Sequence, residues 1–274
     1  MKKIFLPLLF LAGIAVALNA CKKEETDTET QSAVDNSICE GEFSRIMPTV
    51  NSIAIDETGV HKLGGNGNGN SAASTCPAIF IDPTDTLDGF PVTLTLDYGA
   101  GCLDSSDNKT RKGKIEATFS QPFDQVGCVI TINLVNYYVD NIQYEGTLTV
   151  TRNASHSFTT TVADGKCSNP SWTLTWESTR TLTQTEGTTT LTPTDDVFIM
   201  TGNASGVNRE GRAYTVNITK QLTKRQICAW IESGTIDLTP EGLATRTVDF
   251  GSLGQCDDQA TLTINGNSFA FTLK

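Results

Sequence analysis

The residues of this chain with the most evident chemistry are its eight cysteines. Four of them form two pairs of similar spacing: Cys76 with Cys102, and Cys228 with Cys256. The midpoint of the first pair falls in the turn sequence Asp88-Gly89, and that of the second in Pro240-Glu241-Gly242. If each segment folds as a hairpin about its turn, the paired cysteines face each other within disulfide range. We therefore expect two disulfides; the alternative is four unpaired buried thiols. The sequence leaves the partners of three others open: Cys39, Cys128 and Cys167.

The other reactive residue types form no recognisable catalytic or metal site. The two histidines, His61 and His156, lie near no nucleophile motif, and neither Gly-x-Ser-x-Gly nor His-Glu-x-x-His occurs. No Cys-x-x-Cys occurs, which argues against a zinc or thiol redox site. Acidic loops at 104–108 and 257–258 offer too few carboxylates for calcium, so solvated turns are expected there. The sequence therefore predicts no catalytic residue, no metal and no cofactor.

A cysteine modification of another kind is indicated at Cys21. A basic start is followed by the apolar run Ile4–Leu18, which is too short to span a bilayer and ends in Leu18-Asn19-Ala20-Cys21. This ending resembles a bacterial lipoprotein signal, which implies cleavage before Cys21 and lipid on its sulfur and amino group. The alternative is an ordinary signal peptide with a chance cysteine. We expect removal of residues 1–20 and membrane anchoring through lipid at Cys21.

The stretch after Cys21 is charged and rich in threonine. Such a composition cannot bury apolar surface, so residues 21–37 are predicted to form a disordered acidic tether. The acidic cluster resembles the surface-export signal of Bacteroidota-type lipoproteins, which implies an outer-membrane location exposed at the cell surface. The alternative is a plain spacer that leaves the protein on the periplasmic face.

Charge limits the partners of the mature chain. The full sequence has a net charge of −11, and loss of the signal segment with Lys2 and Lys3 makes it −13. A protein this acidic repels nucleic acid and anionic head groups. We therefore expect no nucleic-acid partner.

The helical candidate of the sequence spans residues 31–61, and the segment 38–75 is predicted to hold one short helix and a glycine-rich linker. Phe43, Ile46, Met47 and Val50 recur at helical spacing, and Pro48 is expected to break or kink the helix. The run 64–71 alternates glycine and asparagine as flexible linkers do.

Residues 76–274 are predicted to form a single β domain. Apolar and polar residues alternate in many short runs, for example around Leu94, Leu174 and Val216, and Gly-containing turns separate the runs. We expect an all-β fold: a long antiparallel meander of about a dozen strands, strongly curved as a half-barrel, barrel or sandwich. The short N-terminal helix should pack against its apolar face.

Several strings of this β region are similar to those of a family of Bacteroidota-type, flavobacterial-like lipoproteins. They are Thr93–Cys102, Arg111–Ile115, Thr201–Gly206, Gly211–Val216 and Cys256–Thr261. The resemblance covers most of residues 76–274. It implies an all-β fold and carries no activity. Asp85-Thr86-Leu87 also resembles the O-glycosylation motif of Bacteroidota envelope proteins, which makes Thr86 a candidate glycosylation site.

These features favour a lipid-anchored envelope protein that is not an enzyme. The first hypothesis is a binding or interaction module whose partner is an outer-membrane protein complex or a glycan. The second is a periplasmic carrier or scaffold of envelope biogenesis that holds an acyl chain in the concavity of the sheet. A glycan hydrolase is the third, and it would need two carboxylates facing each other across a cleft.

Overall fold

The computed structural model of the protein describes residues 27–62, 76–82, 89–105, 107–190 and 193–274, with the backbone alone for 52–62. Three of the predicted features lie outside these residues: the signal segment 1–20 with Cys21, the glycine-rich linker, and the candidate glycosylation site Thr86. They remain predictions.

The predicted all-β meander is confirmed. Thirteen antiparallel strands form one sheet in which every strand pairs with its neighbours in sequence order. The sheet is not closed into a barrel. The strands are β1 (Ala78–Asp82), β2 (Val92–Asp104), β3 (Lys109–Phe119), β4 (Val129–Val139), β5 (Ile142–Ala154), β6 (Ser157–Asn169), β7 (Trp172–Glu186), β8 (Val197–Val207), β9 (Ala213–Arg225), β10 (Ser233–Pro240), β11 (Arg246–Asp249), β12 (Gln259–Ile264) and β13 (Asn267–Thr272).

A single long helix, α1 (Gln31–Lys62), occupies the inner side of this sheet. Every residue from Gln31 to Asn51 is buried or half-buried. Hydrogen-bonding and sulfur contacts reach the helix from strands and strand ends between β3 and β11. They come from Arg111, Tyr137, Tyr144, Cys167, Trp176, Asn208 and Gln226, and Arg246 contacts the residues just before the helix.

These contacts require the sheet to curl around the helix. Nine flat strands about 4.8 Å apart would be about 38 Å wide, whereas a helix with its side chains is only about 10–12 Å across. The end of the chain comes to the helix as well, because a Cβ added to Gly41 would lie 2.8 Å from the carbonyl oxygen of Lys274. The helix is therefore the centre of the core, and the sheet curves around it.

The helix starts at the first residue of the helical candidate 31–61, which lies inside the predicted tether. The predicted tether extended to residue 37, but the helix starts at Gln31, and Asp27 pairs with the fully buried Arg246. The helix also continues through Pro48, where a break or kink was expected. Pro48 is buried, and its carbonyl oxygen accepts a hydrogen bond from Gln226. Packing inside the sheet thus outweighs the local cost of a proline.

Candidate functional site

The structure joins both predicted cysteine pairs as disulfides. The Cα atoms of Cys76 and Cys102 are 5.7 Å apart, and those of Cys228 and Cys256 are 5.6 Å apart. The second bridge continues the register of the β10–β11 hairpin beyond the ends of both strands. The first joins Cys76, two residues before β1, to Cys102 of β2, beside a register irregularity between Gly99 and Cys102. Both bridges therefore close hairpins.

The acidic loop after β2 is not a solvated turn, which corrects the expectation from sequence. Asp107 is held by the guanidinium groups of Arg111 and Arg45, with oxygen–nitrogen distances of 2.8 and 3.3 Å. Asp104 also binds both arginines. Within the described ranges, no group of three histidine, cysteine, aspartate or glutamate side chains is arranged to hold a metal ion.

A buried charge cluster connects this loop to the helix. Glu42 of α1 accepts two hydrogen bonds from Arg111 of β3, at 2.8 and 3.3 Å, and one from the hydroxyl of Tyr137 at 2.6 Å. Burial raises the pKa of Tyr137, and the negative charge of Glu42 raises it further, so the phenol remains a proton donor. Burial alone would raise the pKa of Asp107, but Arg111 and Arg45 hold that pKa below its usual value.

The other carboxylates near the start of the helix are paired in the same way. Glu40 binds Arg180 of β7 at 2.6 Å. Asp35 binds Arg209, which follows β8. Asp27 and Glu29 both bind Arg246 of β11, the latter at 3.3 Å. Because charged groups are costly to bury alone, these pairs fix both the position and the rotation of the helix inside the sheet.

Sequence reasoning missed this cluster, although one signal for it was available. Arg180 occupies an inward position in the strict alternation Leu174, Trp176, Ser178, Arg180, Leu182. An arginine on the apolar side of a strand needs a buried acceptor. The acceptors are helix carboxylates more than a hundred residues away in sequence, so no local pattern points to them.

Lys224 of β9 is a buried amine that titrates near neutrality. Its Nζ donates to the carbonyl oxygens of Cys228 and Ala229, both at 2.8 Å. Burial, assisted by the charge of Arg45, lowers the pKa of Lys224 from 10.5 to about 7. A neutral amine has two N–H donors, which matches the two carbonyl groups.

Replacing Lys224 by methionine should flatten the pH dependence of stability. Between pH about 7 and 10.5 the unfolded chain holds a proton on Lys224 that the folded chain lacks. The free energy of unfolding of the wild type should therefore rise with pH by about 1 kcal/mol per unit in this window. Urea titrations at pH 7, 8 and 9 should show that the free energy of unfolding rises with pH more steeply for the wild type than for K224M.

The exposed Lys220 on the same strand supplies the control for this prediction. K220M should follow the pH dependence of the wild type. If K224M rose with pH as steeply as K220M, the neutral state of Lys224 in the folded protein would be refuted.

A groove of about 700 Å³ lies on the outward face of the sheet, across strands β6 to β10. Its main row of side chains follows the strand register: Glu177 faces Ser205, Ser205 faces Thr215, and Thr215 faces Thr239. The volume is within the range of small-ligand sites, about 300–1,000 Å³.

The lining of this groove combines small residues with charged ones. The small residues include Val207 and Ala213, and the charged residues are Asp164, Lys166, Glu177 and Glu241. Lys166 is neutralised by Glu145 at 2.7 Å. In the described part of the chain no salt bridge involves Asp164, Glu177 or Glu241. The groove is therefore acidic, and its lining combines hydroxyl groups with a larger share of apolar surface.

The tryptophans do not form an exposed platform for sugar rings. Trp176 is 2 % exposed, stacks on Phe43 of the helix with ring centroids 5.4 Å apart, and donates from Nε1 to Asn36. Trp172 lies beneath the guanidinium of Arg209, and Trp230 beneath the amine of Lys109. His156 is exposed in the turn between β5 and β6.

Beside the helix, a cavity lined by residues including Phe43, Met47 and Leu148 measures only about 30 Å³. That is room for a few water molecules at most.

None of the helices in the described residues is long and apolar enough to cross a membrane. The chain matches no protein-family model, no curated protein and no solved structure.

Proposed function

We propose that this protein is a lipid-anchored envelope protein that acts as a non-catalytic binding module, with the outward groove across β6 to β10 as its binding surface. The observation that carries the proposal is that the helix fills the inner side of the sheet, whereas the outward face of the described strands carries a groove of ligand size. Lipid at Cys21 would hold the module on the outer membrane, facing the cell exterior.

The filled interior also weighs against the carrier hypothesis. An acyl chain needs an apolar trough of several hundred cubic ångströms, within the range usual for ligand sites. The cavity beside Phe43 offers about 30 Å³, and the charged pair Glu40 and Arg180 forms part of its lining. The helix would have to leave the sheet, and the buried arginines would lose their partners.

The chemistry of the groove favours a hydroxyl-rich, uncharged or cationic glycan. Glu177 and Glu241 can accept hydrogen bonds from sugar hydroxyl or ammonium groups, and Ser205, Thr215 and Thr239 can both donate and accept. An anionic polymer would meet unpaired carboxylates and a strongly acidic chain. A protein partner of the outer membrane is the second candidate, since the groove extends across the outward faces of five strands, β6 to β10.

Filling the groove should weaken binding at least tenfold. The full-length lipoprotein in detergent would be tested against panels of neutral, amino-substituted and anionic oligosaccharides. We expect the wild type to bind neutral or amino-substituted members. Ser205→Trp should bind them with an affinity at least tenfold lower, because the indole occupies the space of the groove. Thr201→Trp is the matched control, since it lies outward on the same strand four residues away and outside the groove.

Equal affinities of S205W and T201W would rule out the groove as the glycan site. If the wild type and T201W retained an outer-membrane protein and S205W did not, the groove would be the binding site of that protein. Absence of any oligosaccharide binding by the wild type would refute the glycan assignment.

A further inference from the structure

Two buried cysteines meet where the helix crosses strand β6. The Sγ atoms of Cys39 and Cys167 are 2.7 Å apart, and neither residue has any exposed surface. Atoms that are not bonded to each other pack at about 3.5–4.0 Å even when they are smaller carbon atoms. The two sulfurs are therefore much closer than packing alone requires.

The backbone on both sides of this contact is fixed by other interactions. On the helix, the next residue, Glu40, binds Arg180, and Asn36 accepts a hydrogen bond from Trp176. In the sheet, Cys167 sits between Tyr144 of β5 and Leu174 of β7 in regular antiparallel register. Neither cysteine can move far from the other, so the surrounding contacts of the core hold the two sulfur atoms together.

We propose that Cys39 and Cys167 form a third disulfide, which fastens the enclosed helix to the middle of the sheet. The oxidant is the disulfide of a thiol–disulfide exchange protein. One cysteine of the pair loses its proton and attacks a sulfur of that disulfide, which forms a mixed disulfide and releases one thiolate. The second cysteine, also deprotonated, attacks the first and releases the other thiolate. The pair loses two electrons and two protons, and the donor becomes a dithiol.

The bond must form before the core closes. Burial raises the pKa of the Cys39 thiol well above its usual value, and the neighbouring Cys167 raises it further. A protonated thiol is a poor nucleophile, and no exchange protein can reach a residue without exposed surface. Once formed, the disulfide is protected from reductants, because they cannot reach the buried sulfur atoms either.

This bridge differs from the other two in what it links. Cys76–Cys102 and Cys228–Cys256 close hairpins, with separations of 26 and 28 residues. Cys39 and Cys167 are 128 residues apart and join the helix to the sheet. The remaining described cysteine, Cys128, donates from Sγ to the carbonyl oxygen of Gln121 at 3.2 Å, so it is expected to stay a free thiol.

Peptide mapping without reduction tests the proposal directly. The full-length lipoprotein would be isolated from envelopes, denatured with an alkylating agent present, and digested with trypsin. Cleavage after Lys23, Arg45, Lys166 and Arg180 gives peptides 24–45 and 167–180, each with one cysteine. We expect these two peptides to appear joined, and Cys128 to be the one alkylated cysteine. Alkylation of both Cys39 and Cys167 in a sample with intact hairpin disulfides would overturn the proposal.

Two serine variants supply the controls. Cys39→Ser should release Cys167 for alkylation and raise the free-thiol count from one to two, whereas Cys128→Ser should lower the count to zero. A count below two in C39S would show that Cys167 has another partner, and a count of zero would identify that partner as Cys128; either result contradicts the proposal. None of these outcomes depends on the groove or its ligand.

Discussion

Replacing Arg111 by methionine is expected to destabilise the folded state by about 3–5 kcal/mol, because it leaves buried carboxylates without their cation. Arg111 is 2 % exposed and binds Glu42 and Asp107 at 2.8 Å each. Arg45 still reaches Asp107 in the variant, but Glu42 retains only the hydroxyl of Tyr137 among these partners. Urea unfolding of the wild type and variant, compared through their midpoints and slopes, measures the loss.

An exposed ion pair on the same strand provides the comparison for this variant. Lys114 of β3 binds Asp97 at 3.1 Å, with 44 % and 24 % of the two side chains exposed. Lys114→Met should cost no more than about 1 kcal/mol, since solvent screens such a pair. Arg111→Lys keeps the positive charge but loses the planar guanidinium group that binds two carboxylates. The stability of this variant should therefore lie between those of R111M and the wild type. Equal losses in R111M and K114M would show that Arg111 does not stabilise the core.

Truncating Phe43 is expected to have an effect of similar size for a different reason. The ring is 3 % exposed and stacks on Trp176 at 5.4 Å, and it meets Tyr144 edge-on at 6.0 Å. Phe43→Ala removes these contacts and leaves a void between helix and sheet, which typically costs about 3–5 kcal/mol. Phe43→Leu fills most of the space and should remain folded if the alanine variant does not.

The control for Phe43 is an aromatic residue on the last strand. Phe269 of β13 is 48 % exposed, so Phe269→Ala should change the free energy of unfolding by less than about 1 kcal/mol. Thermal and urea unfolding of F43A, F43L and F269A would rank the three variants. If F43A were as stable as F269A, the helix could not be the centre of the core.

Alternation was sufficient to predict the sheet, because hairpin strands leave their pattern in consecutive residues. Leu174 and Trp176 point inward and Thr175 and Glu177 outward in the structure, as their spacing indicates. The cysteine hairpins were predictable for the same reason, since a turn and a register depend on local sequence. The groove could not be predicted from sequence. Its lining combines outward residues of several strands, and only the curvature of the sheet brings them into a concave surface.

The enclosed helix could be predicted only in part. Phe43, Ile46 and Val50 follow helical spacing, but the first turns contain Asp35, Asn36 and Glu40, which suit a solvated tether. A helix that is polar on several sides is stable here because the sheet and its loops supply an arginine for each carboxylate of residues 31–51. Those arginines are distant in sequence, so the start of the helix at Gln31 depends on tertiary contacts.

The central position of the helix determines the order in which this protein can fold. Asp27 and Arg246 are in contact although 219 residues separate them. A chain that leaves the ribosome amino terminus first therefore presents the helix long before the strands that enclose it. Folding rates fall as contacting residues become more distant in the chain. We expect slow, late acquisition of native structure, with a core that is incomplete until the last third of the polypeptide has arrived.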